Sequence, residues 1–82
     1  MSSLLDTFMI KSTVKARKVL QILKEHGCIA LRQKGSHIRI KCKHCFSTVP
    51  NHGPEDLRPG TLKQIQKDLE PCLGREWLKK KI

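Results

Sequence analysis

Beyond Thr13, the apolar residues Ala16, Val19, Leu20 and Leu23 recur at helical spacing, while Lys15, Arg17, Lys18 and Lys24 occupy much of the remainder. The pattern predicts an amphipathic helix, with Ser12 or Thr13 placed to cap its start and Gly27 placed to end it in a left-handed conformation. The period then changes from helical to alternating. Ile29 and Leu31 alternate with polar neighbours over residues 28–33, and Ile38 and Ile40 alternate with His37, Arg39 and Lys41 over residues 37–42. Two half-buried strands are predicted, joined as an antiparallel hairpin through Lys34, Gly35 and Ser36. Residues 46–49 form a third strand, reached through Lys43 and His44 and stopped by Pro50.

Asn51, Gly53, Pro54, Pro59 and Gly60 mark residues 51–60 as a loop. A second helix follows over residues 61–70, with Leu62, Ile65 and Leu69 on one face, and Pro71 is expected to break it. The tail, residues 74–82, reads as a short extra C-terminal helix anchored by Trp77 and ending in Lys79, Lys80 and Lys81, cations that suit a helix C-terminus. Residues 1–11 show no clear period and are taken as a flexible N-terminal arm, leaving residues 12–82 as a single domain.

A chain of 82 residues has room for one small core, since a chain this short buries only roughly 60% of its unfolded surface. The expected class is therefore α+β, in the order α-β-β-β-α. Its three-stranded antiparallel sheet carries helices on one face, because the apolar side of the strands must be covered, and leaves the other face wet and basic. The arrangement resembles the double-stranded-RNA-binding domain, a topology that hosts unrelated functions.

Charge narrows the partners. Lys and Arg number 17 against 7 Asp and Glu, a formal net charge of +10. Such an excess favours a polyanion, with nucleic acid first because phosphate neutralisation releases counterions; an acidic protein fits the composition equally. No stretch approaches the ~20 apolar residues that cross a bilayer, and the N-terminus lacks the features of a signal peptide, so no membrane partner and a cytoplasmic location are expected. In that setting the four cysteines read as reduced thiols or metal ligands.

Strand alternation puts His37, Arg39 and Lys41 on the face opposite Ile38 and Ile40, so a histidine stands in a cationic row. Beside it, Lys34, the unhindered backbone of Gly35 and the hydroxyl of Ser36 are all able to contact a phosphate. A solvated polar face with an incidental histidine fits this spacing as well. The run Arg32, Gln33, Lys34, Gly35, Ser36, His37, however, resembles the Gly-Ser-His hallmark of the HicA family of toxin ribonucleases. Val49, Pro50 and His52, then Leu57, Arg58, Pro59, Gly60, Thr61 and Leu62, are similar to that family's second block, and the resemblance extends over roughly residues 13–69.

That resemblance implies a toxin that cleaves messenger RNA, is neutralised by a HicB-like antitoxin, and uses His37 as its single catalytic residue. It implies no metal and no other cofactor. RNA supplies its own nucleophile in the 2′-hydroxyl. An imidazole can accept that proton near neutral pH, and Lys34, Arg39 or Lys41 can stabilise the charge that develops on phosphorus. Sequence alone identifies no general acid.

His52 reads chiefly as a loop residue contacting RNA or the antitoxin, with catalysis the lesser alternative, and His26 as a cap on the first helix. Cys42, His44 and Cys45 depart from the family pattern and form half a zinc site, which Cys28, Cys72 or His52 would have to complete. No second pair has the right spacing, so thiols are the favoured reading. Trp77 is expected to pack the tail onto the core, and with Phe8 and Phe46 as the other aromatics an aromatic base-stacking platform is disfavoured. Two rival functions remain at this level: a non-catalytic RNA-binding module that reads duplex shape, and a small zinc-ribbon adaptor.

Overall fold

The computed structural model describes residues 14–82, so the arm expected over residues 1–11 lies outside the described residues. The elements are helix α1 (Ala16–Glu25), strands β1 (Ile29–Lys34), β2 (His37–Cys42) and β3 (Cys45–Pro50), helix α2 (Pro59–Leu73) and a 3₁₀ turn (Lys79–Lys81). This is the expected α-β-β-β-α order, with an antiparallel sheet in which β2 is the central strand.

Ala16, Val19, Ile22 and Leu23 bury one stripe of α1. The caps expected at Ser12 or Thr13 lie outside the described residues; the cap position is Lys15, which has extended backbone and makes no side-chain cap bond. Lys15 is held instead by a long-range bridge to Asp56, with Nζ 2.8 Å from Oδ1, while the Leu57 amide donates to the Val14 carbonyl at 2.8 Å. Tertiary pairing thus fixes the helix entry, and the ion pair, open to water on both sides, adds at most about 1 kcal/mol. The exit follows the sequence expectation, since Gly27 adopts φ 84°, a region in which other residues are strained.

Paired residues across an antiparallel sheet point to the same face, so the register sorts the side chains. Ile38 pairs with Val49 and Ile40 with Ser47 on the side covered by helices. Both helices pack on β3, and α2 reaches β2. Strand β1 lies at the edge beyond this cover, and here the expectation fails: Ile29 is 56% exposed and Leu31 45% exposed. Ile29 pairs with Lys41, on the face away from the helices, and a bulge between Ala30 and Arg32 takes Leu31 out of the alternation. Ser47, the buried polar residue of the sheet, donates its hydroxyl to Asp68 on α2 at 2.9 Å, which satisfies it and ties β3 to the helix.

Helix α2 begins at Pro59, two residues before the expected start, because proline at the first helical position loses no hydrogen bond. It also continues through Pro71, where the expectation placed its end, to Leu73. The missing amide at Pro71 falls in the last turn, and the next residue is anchored by a Cys45–Cys72 disulfide. The tail is a turn followed by the 3₁₀ segment and not a regular α-helix. Trp77 packs the tail down as expected: it is buried, and its indole Nε1 donates to the Gln66 carbonyl at 3.0 Å. His26 ends α1 as its cap residue, as expected, and its ring leans edge-on against Trp77, centroids 5.8 Å apart.

The four cysteines form two disulfides, Cys28–Cys42 and Cys45–Cys72, in place of the expected free thiols. One joins the end of β2 to the segment leading into β1; the other joins the start of β3 to α2. Cys28 and Cys42 meet through the β1–β2 pairing that sets Ile29 against Lys41, whereas Cys45 and Cys72 meet only once α2 has packed on β3. In oxidised protein a thiol assay on the denatured chain should therefore find no reactive thiol. A phosphine reductant should lower the urea midpoint, at a cost of roughly 3 kcal/mol for a loop the size of that closed by Cys28–Cys42.

Candidate phosphodiester-binding and catalytic site

The face of the sheet away from the helices is built from Ile29, Arg32 and Lys34 of β1, His37, Arg39 and Lys41 of β2, and Phe46, Thr48 and Pro50 of β3. Lys34 pairs with His37, Arg39 stands between Arg32 and Thr48, and Lys41 pairs with Phe46. No carboxylate interrupts this set. Asp68 is engaged by Ser47 and Gln64 on the helix side, and Asp56 by Lys15 in the loop, so the positive potential of the face is not locally neutralised.

Arg32, Lys34, His37, Arg39 and Thr48 line a shallow basin open to solvent. Arg39 is held in place there: its guanidinium lies 5.3 Å from the centre of the Phe46 ring, and Nη1 donates to Thr48 Oγ1 at 3.3 Å. A fixed, planar guanidinium loses little freedom when it binds a phosphate. Lys41 shares the face but does not line the basin, and it stands nearer the β2–β3 turn.

At the other end of β2 the hairpin turn is Gly35 and Ser36 alone, since β1 runs on through Lys34. Gly35 has φ 61°, and nothing lies within 4 Å of where a Cβ would stand, so its backbone can be approached closely. Gln33 Nε2 donates to the Gly35 carbonyl at 3.0 Å and steadies the turn. The Ser36 carbonyl accepts a bond from the Asn51 amide, which draws the chain after β3 back against the turn.

That connection brings in His52. Its ring lies 6.5 Å from that of His37, centre to centre, with the planes at 80°. Asn51 Oδ1 accepts the Gly53 amide at 3.2 Å, a local turn that encloses His52. Both imidazoles are exposed.

The structure therefore brings together Lys34, Gly35, Ser36, His37 and Arg39, with Lys41 at the margin. Sequence reasoning did not include Arg32, Thr48 and Phe46 in the site. Arg32 faces outward only because of the β1 bulge, and Phe46, 42% exposed, could have pointed either way until Cys45, Ser47 and Val49 were seen to point inward. An aromatic on this face also revises the expectation that stacking has no platform, though Arg39 covers it.

The half zinc site is divided by the same packing. Cys42 goes to Cys28, and His52 goes to His37 at the far end of β2. His44, Cys45 and Cys72 do gather, their possible ligand atoms all within 4.8 Å, and Cys72 Sγ lies 3.7 Å from each ring nitrogen of His44. Both sulfurs of that group are bonded to each other, which leaves no thiolate for a metal.

A family model describing the HicA toxin of bacterial toxin–antitoxin systems matches residues 16–70, from the first residue of α1 well into α2. Comparison with curated proteins and with solved structures gave no match.

A labelled single-stranded oligoribonucleotide should bind this face with an affinity that falls as salt rises. In filter-binding titrations Arg39→Ala and Lys34→Ala should each lower the slope of log affinity against log salt by about 1, whereas Lys63→Ala on α2 should leave it unchanged.

Proposed function

Because the chain belongs to the HicA toxin family of bacterial toxin–antitoxin systems, which implies an antitoxin partner, we propose that it is an endoribonuclease that cleaves messenger RNA with His37 as its catalytic histidine and that a HicB-like antitoxin neutralises it. One observation carries this reading: His37 opens the central strand on the uncovered face, with Lys34 opposite it and Arg39 two residues on. The arrangement suits RNA because a ribose brings its own nucleophile, so the protein need only take a proton and stabilise charge.

In this reading Lys34, Arg39 and the Gly35–Ser36 turn hold the phosphate, and Lys41 meets the backbone of a neighbouring nucleotide. His37 removes the 2′-hydroxyl proton as O2′ closes on phosphorus. Arg39, already braced by Phe46 and Thr48, and Lys34 stabilise the negative charge that builds on the non-bridging oxygens. The reaction requires no metal, since neither the nucleophile nor the charge stabilisation depends on one. An antitoxin that silences the enzyme need only cover the cationic face, and an acidic surface on HicB would do so by complementarity. Messenger RNA as substrate implies a cytoplasmic site of action, and among the described residues no helix is long and apolar enough to cross a membrane.

His37→Ala is the test. His37 is exposed, so the variant should fold with an unchanged urea midpoint, bind oligoribonucleotide within a few-fold of the parent and still bind antitoxin. Cleavage of messenger RNA and growth arrest on expression should be lost, by at least the roughly 10²-fold that removing a general base costs. Undiminished cleavage would sink the assignment. A parent protein that binds RNA tightly and never cuts it would favour the non-catalytic module instead.

A further inference from the structure

We propose that His52 is the general acid of the cleavage reaction, paired with His37 as base; this rests on the ribonuclease reading above and deepens it. The two rings come from separate parts of the chain, His37 at the start of β2 and His52 in the loop after β3. Three contacts bring them together. His37 is the register partner of Pro50, the Asn51 amide bonds to the Ser36 carbonyl, and the Asn51 side chain receives the Gly53 amide. The residue between Asn51 and Gly53 is thereby delivered to the mouth of the basin where His37 stands.

The separation fits the task. With centres 6.5 Å apart the rings do not hydrogen-bond to each other, so both keep their nitrogens for a substrate. They are also close enough to address one phosphodiester from two directions. A base and an acid must each come within about 2.6–3.2 Å of their own oxygen, and in an in-line displacement those two oxygens lie on opposite sides of the phosphorus. Near-perpendicular planes let the rings approach from different directions, as such an arrangement requires.

The step balances without any further reactant. The proton of the 2′-hydroxyl passes to neutral His37 and the O2′–P bond forms. The P–O5′ bond breaks, and its electron pair on O5′ takes a proton from protonated His52. The products are a 2′,3′-cyclic phosphate and a 5′-hydroxyl. His37 is left protonated and His52 neutral, and exchange with water restores both. The cations of the basin, Arg32, Lys34 and Arg39, hold the phosphoryl charge throughout.

An oligoribonucleotide with sulfur in place of O5′ at a mapped cleavage position tests the role of His52. A 5′-thiolate leaves without being protonated, so the substrate no longer needs an acid. His52→Ala and His52→Gln should cut the natural linkage about 10²-fold or more slowly, and cut the sulfur-bridged linkage at close to the parent rate. His37→Ala should fail on both. Equal loss at the two linkages in the His52 variants would overturn the acid role and make His52 a binding residue. Rescue of His37→Ala by sulfur, and not of the His52 variants, would overturn the proposed division of labour. Continued cleavage of the natural linkage by His37→Ala would overturn the base role of His37, and a parent protein that never cuts the natural linkage would instead break the ribonuclease reading itself, a result distinct from the others. Because His52 is exposed, unchanged urea midpoints are expected in both variants and separate chemistry from folding.

Discussion

Burial of the inner face of β2 and β3 against two helices is the constraint on which the site depends. Ile38, Ile40, Val49 and Ser47 must point at α1 and α2, and a strand that sends alternate residues inward has no choice about the rest. His37, Arg39 and Lys41 therefore stand in a row on the outside, and Phe46 and Thr48 stand beside them. A one-residue slip in the pairing would put the isoleucines in water and the cations in the core, so the apolar packing that stabilises the sheet also fixes the register of the basin.

The helices secure this arrangement from one side only. Ser47 bonded to Asp68, Trp77 bonded to the Gln66 carbonyl, and the Cys45–Cys72 link bind β3, α2 and the tail into one body. Edge strand β1 has no such cover. It carries Lys34 and Arg32 on a margin whose apolar residues Ile29 and Leu31 are open to solvent, held by its pairing with β2 and by the Cys28–Cys42 link beside it. Cationic surface and structural support are thus separated: packed and cross-linked behind the sheet, charged and open in front. In the proposed function an antitoxin and an RNA meet the same open face, which would give inhibition by competition a physical basis.

In and beside the basin, the polar side chains are fixed by their neighbours. Arg39 is set by an aromatic ring and a threonine hydroxyl, and the His37–His52 pair by a backbone bond and an asparagine turn. Such bracing leaves less reorganisation for the moment of reaction, which is where preorganised electrostatics accelerate phosphoryl chemistry.

The order of elements, the outward row on β2, the turn glycines at Gly27 and Gly35, and the Gly-Ser-His resemblance were all legible along the chain, because each is a local periodicity or a local backbone demand. What lay beyond reach depended on which distant residues meet. The exposure of Ile29 and Leu31 follows from where the helices stop covering the sheet, and the cap at Lys15 from its bridge to Asp56. The passage of α2 through Pro71 accompanies the anchor at Cys72, and the Cys45–Cys72 pairing follows from α2 docking on β3. The approach of His52 to His37 follows from a single amide reaching back to Ser36. Sequence determined the alternation and the charge; contacts between residues far apart in the chain, whose geometry no local pattern encodes, decided which of those side chains work together.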